Sequence, residues 1–449
     1  MRKRVDFSEG NLFKSIILLA WPVVIANLLQ TGYNIIDAFW LGKLGKIAFS
    51  APTIAWPIIF IGMSFASGFS VAANSLVAQY MGMKDEKNAK LVTGQSLIVS
   101  LIMASVLAVI GVIFAVPIMK IMGAKGEVLS LSSKYMMIIY AGGPFAFIMF
   151  VVGGALRGWG DSKTAMYFTI FSVIANVILD PLMIFGIGFP KMGVEGAALA
   201  TIISRALASI YALYVIFYGK HSFRISFADL KPNLNMILKI FKIGLPTSLG
   251  QSITAFGFSF VMSVVTRFGP AVVSAYGVGN RIISMISMFA GGVGTAVSTA
   301  VGQTVGAGKI ERAKSAIKIG AWTNFLLVTG FSFLTFFYGQ YVTKFFINDP
   351  EVIKMGVIFF NLVSFSLPFF ATMQIFVSAI NGSGHTIQAT LINIIRLWGI
   401  RVPSVTILAE IYGFRGVFYG MIISNIGAMV LAYGFIKWGK WQTPVVNTK

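Results

Sequence analysis

The 449-residue sequence contains no cysteine and only two histidines, His221 and His385. Disulfides, thiolate catalysis and cysteine-based metal sites are therefore excluded, and two imidazoles cannot build a histidine metal centre. Charge is scarce as well. Only 11% of residues are Asp, Glu, Lys or Arg, where a soluble protein carries roughly 25%, and just fourteen of them are acidic. What fills the chain is apolar: 57% of residues are hydrophobic, in long runs that recur from Ile16 to Phe435. Runs of about 20 residues suit membrane-spanning helices and are too long and continuous for the alternating strands of a barrel. With strands excluded, helices are the spanning structure that remains. The expected fold is an all-α integral membrane protein with twelve transmembrane helices. Their approximate limits are 14–39, 47–80, 92–119, 135–156, 164–187, 193–219, 238–266, 271–304, 316–347, 356–380, 386–410 and 415–437.

The net charge of +21 would point to nucleic acid in a soluble protein. Here it is read as orientation charge. With Met1 on the cytoplasmic side, inside segments collect about twice as many of the 35 Lys and Arg residues as the outside loops. Both termini are therefore expected in the cytoplasm of a cell (plasma or inner) membrane, with membrane lipids as neighbours and no nucleic-acid partner. No short apolar stretch ending in a cleavage site precedes the first span, so no removable signal peptide is expected.

Sliding the chain against itself reveals a repeat at a shift of 224 residues. Pro22 meets Pro246, Gly45 meets Gly269, Gly68 meets Gly292, Gln79 meets Gln303, Ala89-Lys90 meet Ala313-Lys314 and Pro144 meets Pro368. After a four-residue indel the pairing resumes, with Gly193, Gly196 and Ile202-Ile203-Ser204 facing Gly413, Gly416 and Ile422-Ile423-Ser424. The expectation is two homologous six-helix lobes, 1–222 and 238–449, joined by a cytoplasmic linker, 223–237. Because six is even, both lobes enter the membrane in the same sense, and a pseudo-two-fold axis along the membrane normal relates them. Transporters use parallel repeats of this kind.

Most carboxylates fall in loops or at span ends; Asp37 and Asp180 fall inside spans. A charge at the bilayer centre costs at least about 2.5–3.5 kcal/mol, so such residues mark functional sites. Both lie in the outer half of outward-running spans. Asn176 sits four residues before Asp180, on the same helical face, and Thr201 lies about two turns into the sixth span. Four oxygen-bearing side chains from three helices of one lobe can thus converge. Oxygen ligation suits a hard cation such as Na⁺, and two carboxylates close together can instead hold a proton between them. Pro181 frees a carbonyl one turn earlier. Pro22, Pro181 and Pro246 are candidates for gating bends. No enzymatic constellation is present: GAGKIER at Gly306 lacks the Gly at position 303, where Gln303 stands, and the Ser or Thr after Lys309, where Ile310 stands, that a phosphate loop requires. With no ATP site, an ion gradient is the expected energy source, and no organic cofactor is expected.

The stretches GYNIIDAFWLGKLG around Asp37, LRGWGDS from Leu156, NVILDPLMIFGIGF from Asn176 and GVEGAALAT ending at Thr201 resemble the multidrug and toxic compound extrusion family. The likeness is closest to its archaeal and bacterial branch related to the DNA-damage-inducible transporter. It implies a V-shaped, monomeric antiporter that exports small organic, often cationic, compounds in exchange for Na⁺ or H⁺. It also implies a first-lobe ion site at Asp37, Asn176, Asp180 and Thr201, joined by the carbonyl of Ala197. Tyr33, Asn34, Gln251 and Arg281 are the substrate-cavity candidates. Two features depart from the wider pattern. The repeat partners of Asp37 and Asp180 are Val261 and Ser404, so the second lobe has no deep acid. Glu195 interrupts the Gly-x-x-Gly at the mouth of the sixth span. Arg205, Arg281, Arg396 and Arg401 also lie within spans and keep an alternative open, a flippase for a lipid-linked or phosphate-bearing amphiphile.

Overall fold

The computed structural model describes residues 4–188, 190–219 and 223–446. Lys220 and His221 lie outside them, as do Arg2 and Lys3 of the basic N-terminus. Among the described residues the chain is helical throughout, with sixteen α-helices and no strand. The first eight are α1 (Leu12–Lys43), α2 (Lys46–Gly82), α3 (Glu86–Ile113), α4 (Ala115–Ile121), α5 (Gly126–Ala141), α6 (Gly143–Trp159), α7 (Ser162–Phe185) and α8 (Gly193–Tyr218). The second eight are α9 (Leu234–Val265), α10 (Pro270–Gly306), α11 (Ile310–Phe346), α12 (Pro350–Val363), α13 (Leu367–Gly382), α14 (Thr386–Ile394), α15 (Val402–Tyr412) and α16 (Phe414–Trp438). They give eleven membrane-length apolar segments and a twelfth formed by α5 and α6, which meet at a 46° bend. Twelve spans are thus present, as the hydropathy predicts.

The backbone repeats with the sequence. Gly45 and Gly269 open α2 and α10 at φ 106° and 88°, and Gly160 and Gly384 precede α7 and α14 at φ 101° and 85°. Lys84 adopts φ 60° where its counterpart Gly308 adopts 71°. A side chain at positive φ is strained, and its survival at Lys84 indicates how strongly the turn between the second and third spans fixes the backbone. The fourth and tenth spans break at matching places, Gly142 and the 3₁₀ turn Ser364–Ser366.

Two compact units result, one built mainly from Pro22–Leu249 and the other from Asp6–Trp21 with Gly250–Lys449. The dividing points fall inside helices. α1 passes from the second unit to the first at Pro22, and α9 returns three residues after Pro246. In the first unit α2 is central and packs on α3, α5 and α6, with α7 and α8 forming an adjoining hairpin. The 223–237 segment belongs to this unit: the Gln95 amide donates to the Asp229 and Lys231 carbonyls at 2.8 Å each, and its oxygen accepts from the Asn233 N–H at 2.9 Å. In the second unit α10 takes the central place among α11, α12 and α13, beside the α15–α16 hairpin. The segment before α1 is clamped there by Arg312, which donates to the Phe7 and Gly10 carbonyls at 2.6 Å each.

Loop carboxylates of the first unit cap helices. Asp85 accepts from the Asn88 N–H and Asp161 from the Thr164 N–H, each at 3.0 Å, satisfying donors that a helix start leaves open. Their repeat counterparts Lys309 and His385 make no side-chain cap.

Candidate functional site

The site is assembled by three helices of the first unit. Tyr33 and Asp37 lie one turn apart on α1, and Asn176 and Asp180 one turn apart on α7, so each pair shares a helical face. Thr201 arrives on α8. The α7–α8 hairpin is tight enough that a Cβ at Gly196 would stand 2.6 Å from the Met183 carbonyl oxygen, so glycine there lets α8 carry Thr201 against α7. The Tyr33 hydroxyl and Thr201 Oγ1 are 3.0 Å apart. The Asn176 amide donates to Asp180 Oδ1 at 3.0 Å and to Thr201 Oγ1 at 3.5 Å.

Asp180 is fully buried, and Asn176 and Thr201 are 2% and 3% exposed. Three oxygens of this cluster, Asp37 Oδ1, Asn176 Oδ1 and Asp180 Oδ2, are buried without a hydrogen-bond donor. Buried acceptors are ordinarily satisfied, so three orphans in one cluster are an unusual concentration of oxygens able to accept a cation or a proton. Asp37 and Asp180 lie within electrostatic reach of one another. Ala197 is buried one turn before Thr201, in the apolar core that also holds Leu41, Tyr135 and Ile184.

Two further residues join the cluster. Arg205, one turn beyond Thr201, acts electrostatically on Tyr33 and Asp37. Its position within a span is visible in the sequence, but its electrostatic influence on the acid is not. Tyr135 on α5, buried and within reach of both acids, was missed. A signal for it existed in the repeat, where its counterpart is Phe359: the hydroxyl appears only in the half that has the acids.

The other candidates lie elsewhere. Asn34 is exposed. Gln251 and Arg281 belong to the second unit, where the exposed Arg281 sits over the Phe346 ring at 5.7 Å. Glu195 pairs with Lys134 at 2.7 Å, both partly exposed. Arg396 and Arg401 are each 4% exposed in the second unit, on a stretch of π-helix, Ile395–Arg401. Arg401 donates to Ser424 Oγ at 2.8 Å and Asn425 Oδ1 at 2.6 Å. Arg396 Nε and Nη1 have no acceptor, and its guanidinium lies 5.2 Å from the Phe370 ring centre and 5.9 Å from that of Phe258.

Twelve spans, an internal repeat and a buried polar cluster within one unit are the features of a polytopic membrane transporter. The sequence matches the MatE family over residues 22–182 and 246–407, two stretches starting 224 residues apart, and the chain belongs to that family. It is similar to the probable multidrug resistance protein YoeA of Bacillus subtilis, with 29% identity over 97% of this chain and 96% of that one. Its identity to an FAD transporter of Shewanella oneidensis is 25%, over 96% of each. Among solved structures, a MOP-superfamily transporter from Pyrococcus furiosus superposes with a TM-score of 0.91 at 25% identity over 99% of both chains; its binding pocket is described as having reversed polarity, suggesting a different function.

Proposed function

We propose that the chain is a secondary antiporter that exports small organic compounds, often cationic, in exchange for Na⁺ or H⁺ handled by Asp37 and Asp180. The observation that carries this reading is the set of three donor-less buried oxygens on Asp37, Asn176 and Asp180. Charge arithmetic supports it. Two carboxylates against the single guanidinium of Arg205 leave one negative charge, which one Na⁺ or one proton neutralises. The Tyr33 and Thr201 hydroxyls stand beside the same oxygens and can complete a shell of hard ligands. Pro181 supplies no N–H to the Val177 carbonyl, leaving one more oxygen donor on α7. The drug-resistance name of the relative YoeA supports organic compounds as cargo.

The test is transport of a fluorescent organic cation by purified protein in vesicles, with Na⁺ and pH gradients imposed separately. Asp37→Asn and Asp180→Asn should each abolish gradient-driven export while leaving the fold intact, since a neutral amide is cheaper than a carboxylate in the membrane. Na⁺ binding should weaken as pH falls, because proton and metal compete for the same oxygens. Wild-type export by both variants would place coupling elsewhere.

A second reading, export or flipping of an amphiphile that carries a carboxylate or phosphate, is favoured by Arg396, whose two unsatisfied N–H groups suit an anion. An FAD transporter among the relatives supports it. Uptake of a phosphate-bearing amphiphile with no uptake of the organic cation would select it.

A further inference from the structure

The outer surface of the second unit carries a feature that plays no part in ion coupling. Lys314, Lys318, Trp322 and Leu326 follow one another at four-residue intervals along α11 and so form a ridge on one helical face. A groove runs along each side. The larger, of about 710 Å³, is lined by Ile317, Ala321 and Phe325 of α11, by Phe376 of α13, and by Tyr433 and Lys437 of α16. The smaller, of about 450 Å³, is lined by Phe13, Ile319, Thr323 and Leu326. Lys318 and Trp322 border both.

The grooves are apolar along their length and basic at one end. Lys314, Lys318 and Lys437 line the larger one, and no carboxylate does. Lys314 is partly neutralised by Glu311 at 2.6 Å. Lys437 rests over the Trp438 ring at 5.0 Å, an arrangement that leaves its charge uncompensated. Lys318 is exposed and has no acidic partner among the described residues. Trp322, one turn deeper, is 56% exposed. The start of α11 and the end of α16 therefore present a cationic rim with aromatic residues just below it, the order of groups that a phospholipid headgroup and its ester region meet at a membrane interface.

We propose that this face is a docking site for one diacyl anionic phospholipid, with its phosphate at Lys318 and Lys437 and one acyl chain on each side of Trp322. The two grooves separated by a single indole match two chains leaving one headgroup, and the uncompensated lysines select an anionic head over a zwitterionic one. The site is independent of the coupling residues, so its failure would leave the antiport reading untouched.

Brominated lipids quench tryptophan on contact and test this directly. The full-length protein is reconstituted in phosphatidylcholine with a minor fraction of dibrominated phosphatidylglycerol or dibrominated phosphatidylcholine. The Trp322 contribution is the difference between wild type and Trp322→Phe. The anionic lipid should be preferred at Trp322 by about fivefold for each lysine it engages. Lys318→Gln should reduce that preference about fivefold, and Lys318→Gln with Lys437→Gln should remove it. Lys318→Arg should retain it, and Lys134→Gln, which alters a lysine of the first unit, should not change it. Equal quenching by the two lipids, or a preference unmoved by the double substitution, would overturn the proposal. So would the absence of Trp322 quenching by either lipid, the result expected if a second copy of the chain covered the grooves.

Discussion

The two halves of this chain share a backbone plan and bury opposite chemistry in it. Asp37, Asn176, Asp180 and Thr201 correspond through the repeat to Val261, Ile400, Ser404 and Met421. In the first unit those positions make a polar cluster with orphaned oxygens. In the second, Val261 and Met421 are sealed in an apolar core with Val405, Val417 and Phe359. The buried charge of the second unit is cationic instead: Arg396 and Arg401 stand where the first has Ser172 and Val177. Duplication preserved the helix ends, the glycine turns and the broken fourth and tenth spans, while the interiors diverged to opposite sign. A fold of this kind specifies where buried polar groups can be held, and the side chains decide which charge is held there.

The hardest way to break the comparison is to place the first unit's acid in the second. Val261→Asp puts a carboxylate into a sealed apolar core, at a cost of at least about 2.5–3.5 kcal/mol. The expected outcome is loss of folded protein or a large drop in thermal stability, read by size-exclusion chromatography and melting in detergent. A variant as stable as wild type would show that the second core tolerates a charge and that the asymmetry is incidental. By contrast, the Asp37→Asn and Asp180→Asn changes should remove transport without a comparable fall in stability.

A smaller effect separates the two arginines. Arg401 is held by Ser424 and Asn425, and Asn425 in turn donates to Ser366 Oγ at 3.0 Å. Arg401→Met leaves buried polar groups without their partner, which costs about 1–3 kcal/mol. Arg396 Nε and Nη1 have no acceptors and its guanidinium rests against the Phe370 and Phe258 rings, so Arg396→Met, whose side chain keeps an apolar contact there, should be neutral or stabilising, as replacement of buried charge by apolar groups often is. Thermal melts of the two variants decide this. Equal destabilisation would mean that Arg396 has a structural role that its hydrogen bonds do not reveal.

The sequence made some of these features visible and hid others for physical reasons. Spans and repeat were legible because hydropathy and turn glycines are local properties that survive divergence. The core of the buried polar cluster was legible because an acid in an apolar run is costly and therefore conspicuous. Tyr135 was hidden because tyrosine is ordinary in a membrane helix, and only the fold packs α5 on α8, which carries Thr201. The link from Arg205 to Asp37 spans different helices and has no spacing rule. The π-helical stretch that carries both Arg396 and Arg401 was hidden too, since apolar periodicity does not record a change of helical pitch over seven residues.

The smallest effect is expected at the mouth of the sixth span, where the sign reversal reaches the surface: Glu195 corresponds to Arg415 in the second half. Glu195 interrupts the Gly-x-x-Gly at this mouth, which invites the idea that it attracts cations toward Asp37. The geometry gives it a simpler occupation. Its carboxylate is 2.7 Å from the Lys134 ammonium, and both side chains are partly exposed at 37% and 54%. Exposed pairs of this kind contribute about 0–1 kcal/mol and are screened by salt. A carboxylate already matched by a lysine projects little field toward an incoming ion. Glu195→Gln should therefore shift stability by less than about 1 kcal/mol and leave both export rate and Na⁺ dependence at wild-type levels. Lys134→Gln, which leaves Glu195 unpaired, is the sharper variant. If a free carboxylate at the mouth concentrates cations, apparent Na⁺ affinity should rise at low salt and return to the wild-type value at high salt. No change at either ionic strength would confine the functional polarity of the first unit to its buried cluster.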